Sequence, residues 1–69
     1  MFETALREGI ERAQEELRRA RREDLPNEES AHAARLLDLM DRAHNNGIDT
    51  TDWVDPELMT AALASAGDT

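Results

Sequence analysis

Hydrophobic and polar positions recur with the helical period in three separate stretches, and the middle one has the sharpest ends. In residues 25–47, Pro26 lacks a backbone donor and disfavours helical geometry at Leu25, so a preceding helix closes there. Asn27 stands where an N-cap is needed, its side-chain oxygen free to accept from a backbone N–H one turn in. Glu28 and Glu29 place negative charge in the first turn, where the helix dipole favours it. Ala33, Leu36, Leu37, Met40 and Ala43 fall within one sector of about 120°, the width of a single buried face. Leu39 widens that sector on one side, and His44 lies inside it near the far edge. Asn45, Asn46 and Gly47 end the run, Gly47 being suited to the left-handed position after a helix. The pattern predicts a helix over about residues 28–45, roughly five turns long.

The first stretch predicts a helix over about residues 3–24. Leu6, Ile10, Ala13, Leu17, Ala20 and Asp24 alternate four and three apart, the spacing of a heptad seam. Glu3 with Arg7, Glu8 with Arg12 and Glu15 with Arg19 are i,i+4 pairs in the favourable order. In a parallel dimer, Glu16 of one copy would face Arg21 of the other, the relation expected for interchain pairing. Leu6, Ile10, Ala13, Leu17 and Ala20 are therefore the candidate dimer seam. The same stripe serves one helix of a monomeric bundle; its narrowness and the shortness of the chain favour the dimer.

In the third stretch, Asp49, Thr50 and Thr51 read as turn or cap residues, with a single helical turn through Trp53. Ile48, Trp53 and Val54 are expected to fold back over the end of the central helix, with His44 beneath them. Asp55 followed by Pro56 is a strong N-cap and N1 combination. Leu58, Met59, Ala62, Leu63 and Ala66 predict a short amphipathic helix over about residues 56–66, stopped by Gly67, with Asp68 and Thr69 frayed. No strand pattern or internal repeat is visible. The expected fold is all-α: one domain over residues 1–69, a long helical hairpin plus a short C-terminal helix after an acidic turn at residues 48–55. It is either a monomeric three-helix bundle or a helical homodimer.

Size narrows this reading. At 69 residues the chain lies near the lower limit for a single core. Without cysteine it has neither disulfides nor thiolate metal ligands. No apolar run approaches a membrane span and no signal peptide is visible, so no membrane association and a cytoplasmic location are expected. All eight basic residues are arginine, a usage pointing to a GC-rich or salt-adapted genome or a virus of such a host.

Charge is lopsided. Residues 1–25 carry seven acids and six arginines; residues 26–69 carry nine acids and two arginines. A field of this sign repels nucleic acid and favours basic partner surfaces, besides keeping a small protein soluble.

Candidate chemistry is sparse. Glu29 with His32 and Asp41 with His44 each set a carboxylate and an imidazole one turn apart, but both pairs lie on one helix, about 18 Å apart by rise. Di-iron bundles need such pairs from different helices, so no metal is expected. Ser30 and Ser65 lack a positioned base, and Gly9, Gly47 and Gly67 form no phosphate loop; no enzyme and no cofactor are expected. Arg18, Arg19, Arg21 and Arg22 are interleaved with acids and have no aromatic neighbour. Glu57, Thr60, Ala61, Ala64 and Ser65 offer a third helix nothing to read guanine, so direct nucleic-acid binding is not expected either.

The leading expectation is a small acidic interaction module, an adaptor, inhibitor or assembly factor that binds a protein partner with a basic surface. Trp53, Val54, Asp49, Asp52 and Asp55 are the candidate contacts, a bulky aromatic among acids. Trp53 also has the character of a core plug over the central helix. Two alternatives stand beside this reading. One is an oligomerisation module built on the first-helix seam. The other is an acidic regulator of DNA-binding proteins, either a phosphate mimic or a helix-turn-helix.

Overall fold

The computed structural model describes residues 2–66, and these form three helices: α1 (Phe2–Arg22), α2 (Pro26–Asn45) and α3 (Pro56–Ala66). No strand occurs among the described residues. The body measures 34 × 20 × 17 Å. Gly67, Asp68 and Thr69, expected to stop and fray the last helix, lie outside the described residues.

The α1–α2 hairpin is antiparallel, and side chains mark its register. Gly9 lies opposite Leu39, Glu16 meets His32, and Arg21 meets Glu29. α3 then packs chiefly on α2 and only lightly on α1. The shared core consists of Leu6, Ile10, Ala13 and Leu17 from α1, Ala33, Leu36 and Ala43 from α2, Val54 from the loop, and Leu58 and Ala62 from α3. Four of these ten are alanines, so the helices can approach closely but bury little apolar area per contact. Among them Ile10, Leu17 and Leu36 are the largest fully enclosed side chains.

The heptad stripe of α1 is thus filled from within the chain. Its five members, Leu6, Ile10, Ala13, Leu17 and Ala20, are exposed by 6% or less in the single chain. The charges flanking the stripe behave likewise: Glu16 and Arg21, which a parallel dimer would pair with each other, both reach to α2 of the same molecule, at 3.2 and 3.5 Å. Packing on the hairpin partner therefore uses the surface that a coiled coil would need.

Both long helices end in the same hydrogen-bond motif. At the end of α1, the Leu25 N–H donates to the Ala20 carbonyl (2.9 Å) and the Asp24 N–H to the Arg21 carbonyl (3.3 Å). At the end of α2, the Ile48 N–H donates to Ala43 (2.9 Å) and the Gly47 N–H to His44 (3.0 Å). Each is a Schellman motif, which needs one left-handed residue after the helix. Gly47 meets this need with φ +72°, and Asp24 meets it with φ +55° despite its Cβ. Asp24 consequently lies outside α1 and is exposed, rather than continuing the seam.

Further sequence expectations fail locally. Asn27 does not cap α2: Pro26 already occupies the first helical position, Leu25 takes the cap position, and no side chain caps the end. The carbonyl of Leu25 instead accepts from Glu29 (2.8 Å), and proline at the first position removes one orphan donor. His44 is exposed rather than tucked beneath Ile48, Trp53 and Val54. The surface pairs on α1 are Arg7 with Glu11 (3.5 Å) and Arg19 with Glu23 (3.0 Å), in the reverse order to that expected. Such exposed pairs differ by only a few tenths of a kcal/mol, so a tertiary contact can redirect them. For Arg7 that contact is Trp53.

Candidate interaction surface at the Trp53 turn

Residues 48–55 connect α2 to α3, and every segment of this loop is pinned. Asp49 begins it with an Asx-turn, its Oδ1 accepting from both the Thr51 backbone N–H (2.9 Å) and the Thr51 hydroxyl (2.6 Å). These bonds, the hydroxyl's first, hold the Asp49 carboxyl below the usual aspartate range. Thr50 is buried, and its carbonyl accepts from the Trp53 N–H (2.9 Å), closing a tight turn where a helical turn was expected.

The next clamp comes from α1. Gln14, buried at 4% exposure, donates from Nε2 to the Trp53 carbonyl (2.7 Å) and accepts at Oε1 from the Asp55 N–H (2.9 Å). A primary amide carries one donor side and one acceptor side, and here both are used on a single stretch of backbone. Between those two anchors Val54 is turned into the core. Asp55 then caps α3 through Oδ1, accepting from the Glu57 N–H (2.9 Å), while its Oδ2 lies 3.5 Å from Arg18.

Trp53 is half-buried and packs against the core with part of its ring left at the surface. The Arg7 guanidinium sits over the ring, 5.4 Å from its centroid, within cation–π range. Beside it, a shallow groove of about 490 Å³ runs between α1 and the loop, lined by Glu11, Glu15, Asp52, Asp55, Trp53 and Pro56, with Gln14 and Arg18. Arg7 and Arg18 are drawn into this neighbourhood and offset part of its acidity.

Of the candidate contacts, Trp53, Asp52 and Asp55 line this one groove. Asp49 lies apart from them, its Oδ1 engaged by Thr51, and lines a separate depression with Met40, His44 and Ile48. Val54 borders the groove but is only 7% exposed, so most of its surface is committed to the core. Gln14 was not singled out from sequence, and Arg7 and Arg18 stood there only as surface charges of α1. Gln14 is the one glutamine in the chain and sits just off the apolar stripe of α1, where an ordinary solvent-facing residue is expected.

Of the imidazole–carboxylate pairs on α2, Glu29 with His32 is divided between partners on α1, while Asp41 accepts from Asn45 of its own helix (3.5 Å). Glu29 reaches Arg21, and His32 Nδ1 lies 3.2 Å from Glu16. Among the described residues no group of three or more metal-ligating side chains converges. No described helix is long and apolar enough to cross a membrane. Comparison with protein-family models, with curated proteins and with solved structures finds no match.

Proposed function

We propose that this protein is a small helical interaction module that engages a basic protein surface through the Trp53 turn. Trp53 would be the anchor, with Asp52 beside it and Glu11 and Glu15 on the facing helix supplying steering charge. The observation that carries this reading is the clamp on the loop. Gln14 holds the backbone on either side of Val54 at 2.7 and 2.9 Å, so the stretch that carries Trp53 and Asp55 is held in place before any partner arrives. A preorganised loop loses less conformational entropy on binding. The alternative of an oligomerisation module on the α1 seam requires the hairpin to open, because that stripe is occupied within the chain.

Trp53 is the single tryptophan, so its fluorescence reports on the groove directly. Titration with an arginine-rich peptide at low and moderate salt should give a saturable spectral change. The change should weaken with salt and with Asp52→Asn, and more strongly with Glu11→Gln and Glu15→Gln combined. An equal response from a lysine- and arginine-free control peptide, or none from the basic one, would sink the proposal.

A further inference from the structure

Asn46 followed by Gly47 is a pair whose side chain and backbone can react with each other. The Gly47 amide nitrogen, once deprotonated, attacks Asn46 Cγ. The new N–Cγ bond closes a five-membered succinimide, the Cγ–Nδ2 bond breaks, and ammonia leaves with the proton. Water then opens the ring at either carbonyl, yielding aspartate or its isomer with the backbone routed through the side chain. Glycine favours the attack because it has no Cβ to crowd the nitrogen. Both residues are exposed, and a Cβ added at Gly47 would meet nothing within 4 Å, so no side chain packs over Gly47 Cα.

The cap of α2 opposes this reaction. The attacking nitrogen is engaged, its N–H donating to the His44 carbonyl at 3.0 Å. The leaving group is engaged as well, Asn46 Nδ2 donating to the Arg42 carbonyl at 2.8 Å. Asn46 keeps a near-helical backbone (φ −103°, ψ 13°), and the Ile48 N–H bond to Ala43 (2.9 Å) closes the motif around it. Attack needs the first two bonds broken and the side chain swung towards the next nitrogen.

We propose that Asn46 is a deamidation site gated by the α2 cap, protected while the last turn is closed and reactive whenever it opens. Asn27 and Asn45 lack the small neighbour, being followed by Glu28 and Asn46, and both lie within α2. The product reinforces the opening. It sets a new carboxylate at a helix C-terminus, where the dipole favours cations, and replaces the donor facing the Arg42 carbonyl with an acceptor. The formal net charge falls one unit below −8. Because residue 47 leads directly into residues 48–55, the modification loosens the root of the Trp53 turn, whatever that turn binds.

The test is incubation of the full chain in mildly alkaline buffer, folded and in urea, followed by intact mass and peptide mapping that separates aspartate from its isomer. Conversion of the side-chain amide to a carboxyl is expected at Asn46 ahead of Asn27 and Asn45, about tenfold or more slower in the folded chain. The directly made Asn46→Asp variant should melt about 2–8 °C lower than the parent. Equal rates folded and in urea would overturn the gate. Conversion appearing first at Asn27 or Asn45, or at no asparagine even in urea, would overturn the site.

Discussion

Replacing Gln14 tests whether one buried amide governs the loop. Gln14→Leu keeps similar volume but removes both the donor to the Trp53 carbonyl and the acceptor for the Asp55 N–H. A net hydrogen bond is worth about 1 kcal/mol, and a buried group left unpaired costs about 1–3 kcal/mol. Both backbone groups are only partly buried, so water relieves some of this, and a loss of about 2 kcal/mol is expected. A 69-residue domain has a total stability of roughly 3.5–10 kcal/mol, so the loss is a sizeable share of it. In thermal melts followed by circular dichroism it corresponds to a fall of about 8–16 °C.

Gln14→Glu adds a sign test. At neutral pH the introduced carboxylate still accepts from Asp55 N–H but turns a lone pair towards the Trp53 carbonyl. Protonation restores a donor there, so the folded state favours the neutral acid and raises its pKa above the unfolded value near 4.3. The deficit relative to the parent should therefore be smallest at about pH 4 and grow as pH rises through the folded pKa. Melting both proteins at each pH cancels the effect of the other carboxylates. A Gln14→Leu melt within about 2 °C of the parent, or a Gln14→Glu deficit independent of pH, would refute the account of the clamp.

Three further outcomes are expected. Asp24→Gly should stabilise the chain by about 0.5–1 kcal/mol, because glycine adopts the left-handed geometry at φ +55° without a Cβ clash, and a denaturant melt reads this directly. Leu36→Ala should cost about 2–5 kcal/mol and leave the chain largely unfolded at moderate temperature, visible as loss of amide dispersion in NMR, since Leu36 is fully enclosed in a core with few large side chains. The Asp49 carboxyl should titrate below the ordinary aspartate range in NMR. Its bonds to Thr51 add stability above the unfolded pKa that is lost as pH falls through the folded one, and Thr51→Ala should return the titration towards the normal range.

Much of the architecture was legible as sequence because it rests on local rules. Periodic apolar positions, Asp55 with Pro56, and Asn46 with Gly47 each act within one turn of helix, so three helices, the end of α2 and the start of α3 follow from neighbours in the chain. Local rules also misled where two candidates competed: Pro26 began α2 before Asn27 could cap it, and Asp24 took a left-handed position usually left to glycine.

The tertiary structure alone decided which surface the α1 stripe meets. A heptad seam is the same pattern whether its partner is a second copy or the next helix, and here the hairpin fills it. It also decided that Gln14, 41 residues from Asp55 in sequence, would hold the loop, and that Arg7 and Arg18 would converge on it. Those contacts join residues far apart in the chain. Their geometry depends on helix register and on the path of the loop, which no local spacing encodes.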